Sequence, residues 1–552
     1  MDEQESRGLV SHLLFTDDTL VFCDADPGQV LILLAGVVCF QSITGLSINL
    51  EKSMMFVIGD VSEPQFFADI FGCNWSKDPS RYLGFPLGER PNAVAIWDPV
   101  IRKSEQRLAG WASRCLSFGA RITLIKSCLF SQTVYLCSLF RAPKAVINHV
   151  EQIQRNFLWN GAKETRKFHL ASWELCKTST SRGGLGILDF DCFNRAMLGK
   201  WVWKYAVERE SWWRKLIEVK YDSRTSEWYC TRSLGGVRSS TWANVAKVHY
   251  DVWDHVYIDP GGGAGVSFWK DKWIPGVVLA DSFPRVTAAA ASQEARLSDV
   301  AELSGDRVCW NIQFLWDLRG GAERERERER VVFFDLLNSV DVALIREGPC
   351  RVVWGPNPDS SFSVSSLYRC LAERSLQGVS NFPADAIWKG VVPPKVCIFL
   401  WLVFHRRILT LDNLKRRGWQ LANRCELCGC EEETIDHMFT GCAFVAEVWG
   451  RLLSVASSGD VRRGDIVETI RIWPTAQPSN MAGWFHYCIL HDVAWNVWKE
   501  RNRRVFRQER LQSKDVACIS FRTVVDWTMA FGVVGKSDGL QWLRGCLQKI
   551  SH

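Results

Sequence analysis

Two short apolar runs, HLLF (12–15) and TLVFC (19–23), flank the adjacent acids Asp17 and Asp18, which predicts two strands meeting at an acidic turn. VLILLAGVVCFQSITG (30–45) then reads as a helix that Gly45 ends, and LSINLEKSMMFVIG (46–59) as extended structure. Residues 95–160 carry a helical period. Ile122, Ile125 and Leu129 share one face, as do Val150, Ile153 and Phe157, while Arg102, Lys103, Arg107, Arg114, Arg121 and Lys126 fall on other faces. A solvated basic face is the simpler reading of those cations; nucleic-acid contact is the alternative.

Further along, GGLGILD (183–189) predicts a loop leading into a strand, and FNRAMLGKWVWKYAVERESWWRKLI (193–217) a Trp-rich helical stretch. GGGAG (261–265) lacks the Gly-Lys-Ser/Thr ending of a triphosphate cradle, so it reads as a turn before the strand-like VSFWKDKWI (266–274). TAAAASQEARLSD (287–299) and GGAERERERER (320–330) read as segment boundaries, the second as a solvated helix or linker of balanced charge.

Composition narrows this picture only slightly. At 552 residues the chain exceeds one compact core, and 47% apolar with 23% charged residues is ordinary for globular proteins. The 27 tryptophans argue for packing. A net charge of +6 permits nucleic-acid contact without arguing for it. Twenty cysteines over this length are no small disulfide framework. The acidic start MDEQESRG has no secretory-signal character, and VLILLAGVVCF (30–40) and VCIFLWLVF (396–404) fall short of a bilayer span. The expectation is an intracellular protein, nuclear or cytoplasmic, without a membrane segment.

Candidate chemistry concentrates in NRCELCGCEEETIDHMFTGC (423–442). Cys425 and Cys428 form a C-x2-C pair, and His437 and Cys442 an H-x4-C pair after an eight-residue spacer. Chance alone supplies about 0.7 C-x2-C pairs in a chain with this many cysteines, so the first pair means little without the second. Two close pairs supply four zinc ligands at small loop-closure cost and leave no position open for water, which points to structural Zn2+. Buried free cysteines are the alternative, and Cys430 is a spare thiol nearby. Just upstream, Arg406, Arg407, Lys415, Arg416 and Arg417 interleave with Trp401, Phe404 and Trp419. That mixture suits phosphate contact with base stacking; a core-facing aromatic stripe with a basic outer face fits equally.

FTDD (15–18), TGLSINLEKS (44–53) and YLGFPLG (82–88) occur in an order that resembles the last palm motifs of reverse transcriptases from plant LINE-type (non-LTR) retrotransposons. The segments VVPPKV, FLW, LTLDNLKRRG, CELC and DHMFTGC resemble the reverse-transcriptase zinc-binding domain of the same proteins. GLGILDFDCFNRAMLGKWVWKY and VSFWKDKW resemble their connector. The resemblance implies an α+β fold, predominantly α overall. Residues 1–90 are then a C-terminal fragment of the polymerase palm (hairpin plus helix) and 91–210 a helical thumb-like region. Residues 211–345 form a Trp-rich connector with a low-complexity linker, 346–450 the zinc-binding domain and 451–552 a C-terminal helical region.

By the same resemblance, Asp17 and Asp18 match the metal-binding carboxylates of RNA-directed DNA synthesis, which uses two Mg2+ ions. Lys52 matches a proton donor to the leaving group, and Tyr82, Leu83 and Gly84 match the hairpin that positions the primer end. Thr16 stands where the family usually has alanine. The family's third aspartate lies on a separate upstream strand, and residues 1–10 offer only Asp2, Glu3 and Glu5 in a polar stretch. The expectation is therefore a truncated enzyme, not independently catalytic, that binds Mg2+ only with a complete palm. Its expected partners are RNA and/or DNA, with no membrane and no small-molecule substrate. HDVAWNVWKERNRRVF (491–506) resembles the segment that leads towards a ribonuclease H-like domain, without a recognisable carboxylate set for that activity. The alternative is a non-enzymatic, zinc-dependent RNA- or DNA-binding protein of retrotransposon origin.

Overall fold

A computed structural model describes residues 11–552 except 78–80, 88–89, 113–115, 161–167, 222–239, 264, 305–306, 316–323, 341–347, 376–380, 457–460, 462–463, 534–540, 543–544 and 547–552. Asp2, Glu3, Glu5, Gly88, Arg114, Ala264 and the start of the Glu/Arg run thus lie outside the described residues. The chain forms two compact units. One takes Met1–Val100, Thr133–Ile147 and Asp191–Leu371; the other takes Ile101–Gln132, Asn148–Phe190 and Ala372–His552. The described residues are predominantly helical, and their strands pair only in twos.

In the first unit, His12–Phe15 and Asp18–Val21 pair antiparallel with Phe15 opposite Asp18, leaving Thr16 and Asp17 as the turn. The Pro27–Thr44 helix starts where Asp26 accepts a bond from the Gln29 N–H and Pro27 fills its first turn. It ends at Gly45, whose φ of 73° lets its N–H reach the Gln41 carbonyl. Its apolar residues run all round the axis and only Val30 is buried; Ile32 and Ile43 are 74% and 84% exposed. By length and composition alone this 18-residue helix reaches the lower limit for crossing a bilayer. The extended reading of 46–59 shrinks to Met54–Phe56, paired in parallel with Asn74–Ser76. A strand persists only where a neighbour takes its backbone hydrogen bonds.

The core of this unit is aromatic. Phe268, Trp269 and Trp273 are buried with Leu297 and Phe333; Trp269 stacks on Phe333, and both indole N–H groups reach backbone carbonyls. Val266–Ile274 is accordingly a chain of turns touching single β-bridges at Ser267 and Ile274, not the expected strand. Burying neighbours 268, 269 and 273 together is incompatible with the alternating faces of a strand. Ala289, Ala290, Ala295 and Leu297 of the 287–299 segment also lie in this core, and Arg324–Asn338 is helical. Val256–Asp259 pairs antiparallel with Arg351–Trp354. A second cluster joins them to the Phe190–Val207 helix, where Gly199 gives room to Leu367.

The second unit is built round the Pro394–Phe404 helix, whose residues Val396–Phe404 are all buried. An all-round apolar helix must be central. It packs on the Met481–Arg507 helix, which packs in turn on Ser513–Ala530 and Ala443–Ala456. Gly183–Asp189 makes no strand. Gly183 (φ 90°) and Gly186 (φ 65°) fold it back along the Trp173–Lys177 helix, and a side chain on Gly184 would meet the Thr178 carbonyl oxygen at 1.9 Å. Asp189 ends this turn on the buried Lys177 ammonium, 2.6 Å away, which Glu151 also contacts at 3.1 Å.

Candidate metal centre and basic face

The C-x2-C knuckle is closed by its own backbone. The Gly429 N–H reaches the Cys425 carbonyl and the Cys425 N–H the Glu431 carbonyl, both at 2.7 Å, with Gly429 at φ 68°. The second ligand pair flanks a single π-turn, His437–Gly441, in which the Cys442 N–H bonds the His437 carbonyl at 2.7 Å. That five-residue step explains the x4 spacing, since it carries both donors to one side. The ligand atoms of Cys425, Cys428, His437 and Cys442 all lie within 4.8 Å of one another, with three of the residues buried and Cys428 half-buried. Among the described residues this is the one group of three or more metal-ligating side chains so gathered.

Charge in the cluster is shared as a ligand set requires. A hydrogen bond from the Cys442 thiol holds the Cys425 thiol down to about 4, while that same bond and burial push Cys442 up. Cys428 is lowered against its burial by the backbone N–H groups of Glu431 and Cys430, and its Sγ lies 3.4 Å from His437 Nε2. His437 is raised despite burial by the neighbouring sulfurs. Its Nδ1 sits 2.9 Å from Glu431 Oε2, at ion-pair distance but off a hydrogen-bonding direction. In tetrahedral zinc, Zn–S bonds of ~2.3 Å place sulfurs roughly 3.8 Å apart, so the set fits Zn2+ with little movement. Thiolates do not suit Mg2+ or Ca2+. Cys430 is exposed and its Sγ–H bonds the Cys428 carbonyl, outside the set.

Residues far along the chain clamp this loop. Arg504 Nη1 donates to the carbonyls of Glu426 (3.2 Å) and Leu427 (2.8 Å) inside the knuckle. Glu433, fully buried, receives a bidentate pair from Arg501 (3.0 and 2.8 Å) and also accepts the Leu411 N–H. Arg406 reaches Asp436 at 2.5 Å, next to the ligand His437. The zinc loop is thereby tied to the start of the Leu411–Arg416 helix.

The predicted basic residues converge on that piece. Arg406, Arg407, Arg416 and Arg417 line a cavity of about 410 Å3 with His405 and Asn413. They are not equivalent. Arg406 is committed to Asp436, and Arg416 to Asp412 and Asn413. The side chains of Arg407 and Lys415 make no hydrogen bond or ion pair among the described residues and are exposed. Burial and the nearby Arg407 charge together lower both His405 and Arg417. The aromatic residues separate too. Trp401 and Phe404 are buried, Trp401 donating to the Gly183 carbonyl at 2.7 Å, so they belong to the core; Trp419 is 51% exposed.

Sequence reasoning missed Phe168 and His169. Phe168 meets Trp419 edge to face at 6.2 Å, the Arg417 guanidinium lies 5.3 Å from its ring, and Arg417 Nη2 points at the His169 carbonyl. Nothing local announces a contact spanning some 250 positions.

At the N-terminal hairpin, Thr16 adopts φ 51° and its hydroxyl lies 2.8 Å from Phe15 O and 2.9 Å from Asp17 Oδ1; donation to Asp17 lowers that carboxyl. Asp17 caps the turn, Asp18 begins the second strand, and both are exposed. No third carboxylate gathers with them among the described residues, and Lys52, in an exposed turn, bonds neither. Leu83 and Gly84 (φ 50° and 79°) form the two-residue turn between Arg81–Tyr82 and Phe85–Pro86. Tyr135 closes on that turn, its hydroxyl donating to the Leu83 carbonyl and its ring stacking on Phe85 at 4.0 Å.

Comparison with known proteins agrees with the cluster. Residues 362–449 match the family model described as zinc-binding in reverse transcriptase. A putative ribonuclease H protein of Arabidopsis thaliana is 29% identical over 360 residues, covering 64% of this chain and 55% of that protein. An uncharacterized mitochondrial protein of the same plant is 27% identical over 142 residues, 26% of this chain and 91% of its own length. The chain thus spans about half of the longer relative. The similarity to a reverse-transcriptase zinc-binding domain thus lies in the stretch that holds the Cys/His cluster.

Proposed function

We propose that this chain corresponds to the downstream part of a LINE-type reverse transcriptase and works as a zinc-organised nucleic-acid-binding module. The observation that carries the reading is the convergence of three cysteines and a histidine on a loop that rigidly holds a cavity of four arginines. Zinc fixes the loop, Glu433 holds the start of the basic helix to it, Asp436 holds Arg406, and Arg407 and Lys415 are left to meet phosphate. Anisotropy titrations of labelled RNA and DNA at several salt concentrations test it. Affinity falls log-linearly with salt, and Arg407→Gln or Lys415→Gln each reduces the slope by about one. Salt-independent binding, or none, refutes it.

Asp17, Asp18 and Lys52 are read as palm residues by resemblance. Two-metal transfer needs carboxylates on both sides of the ions, and the described residues bring no third one to the hairpin. The purified chain is therefore expected not to extend a primed template with Mg2+ or Mn2+. Extension that disappears in Asp17→Ala would overturn this.

A further inference from the structure

We propose that the face carrying the arginine cavity selects unpaired nucleic acid, with Phe168 and Trp419 as a shelf on which a base stacks while Arg407 and its neighbours hold the adjoining phosphate. This deepens the nucleic-acid reading above and rests on it. Phe168 and Trp419 are 41% and 51% exposed, although burying such rings is strongly favourable. Neither ring is spread over the surface at random: they touch each other, and Arg417 joins both the ring of Phe168 and the cavity wall. Apolar faces thus lie directly beside cations.

The charge side points the same way. Four arginines share one cavity, and Arg407 has no acidic partner among the described residues while it disfavours the protonated forms of His405 and Arg417. A phosphate entering there relieves that repulsion and accepts the donors left free. A duplex offers phosphates but keeps its base faces stacked inside, so it can use the cations and not the shelf. An unpaired strand uses both, and stacking does not depend on which base is present.

The test uses the full, zinc-loaded chain and three probes of equal phosphate number: a short oligo(dT) or oligo(U), the same strand made abasic, and a duplex. The unpaired strand is expected to bind at least about fivefold more tightly than the other two, the low end for one base–aromatic stack. Trp419→Ala and Phe168→Ala bring it down to the abasic level and leave abasic and duplex binding unchanged. Trp419→Phe keeps the preference, and Arg407→Gln weakens all three probes alike. Equal, salt-dependent affinity for all three probes overturns the shelf while the phosphate reading stands. Absence of salt-dependent binding to any probe removes the phosphate reading and the shelf with it.

Discussion

The bond between Glu433 and Arg501 should decide whether the zinc loop holds. Glu433 is fully buried and Arg501 nearly so, and the guanidinium donates to both carboxylate oxygens. Arg501→Met leaves an uncompensated carboxylate in the interior, and removing one partner of a buried pair costs about 3–5 kcal/mol. Exposed pairs such as Lys215–Glu210 lie at the weak end of the scale, because solvent screens them. The consequence reaches the basic face, because Glu433 also accepts the Leu411 N–H at the start of the helix that carries Lys415 and Arg416. With two compact units, global unfolding is not a two-state process. The readout is therefore local: release of zinc to a chromogenic chelator across a urea series. Arg501→Met should release zinc at clearly lower urea. Combining it with Glu433→Gln should recover part of the loss, because the amide brings no buried charge while its carbonyl oxygen can still accept the Leu411 N–H. A wild-type midpoint for Arg501→Met, or losses in the double variant that equal the sum of the singles, refutes the reasoning. The reach of the clamp also means that residues matching the family model, 362–449, depend on a helix beyond them, Met481–Arg507.

Three further outcomes follow from single sites. The purified chain should hold one equivalent of zinc, and Cys425→Ser or Cys442→Ser should lose it, with metal analysis as the check; full retention in both rules the cluster out as the site. Lys389 is buried, its Nζ donating to the carbonyls of Pro474 (2.9 Å) and Tyr487 (2.6 Å), and burial pushes its pKa down to about 7. Between pH 7 and its ordinary 10.5 the unfolded chain binds the extra proton, so its contribution to stability rises with pH across that window, at most ~1.4 kcal/mol per unit, and is flat below 7. Lys389→Met should remove this slope from urea midpoints, and an unchanged slope contradicts the assignment. Gly184→Ala should lower the thermal midpoint sharply, because its methyl meets backbone at 1.9 Å, whereas Gly390→Ala, with nothing within 4 Å, should be tolerated.

What could be read directly from the chain is what short spacing dictates. C-x2-C and H-x4-C close through one knuckle and one π-turn, so each ligand pair is formed locally. Asp26, Pro27 and Gly45 bound the first helix by capping chemistry alone. The basic residues of 406–417 are near neighbours in sequence and stay so in space. Burial is different, since it depends on partners that arrive from elsewhere. Trp401 and Trp419 look alike in the sequence; the first is closed in by the Gly183 turn, whereas the second stays half exposed with its ring against Phe168. GGLGILD reads as a strand because its pattern is apolar, yet a glycine fold round the Trp173–Lys177 helix satisfies its backbone instead. Which arginines are spent on Asp436 and Asp412, and which remain for a ligand, is an electrostatic outcome of packing. The sequence alone determined where the metal ligands lie, because their closure is local. Only the tertiary structure decided which charges and rings are left facing solvent, because each is set by groups up to some 250 residues away.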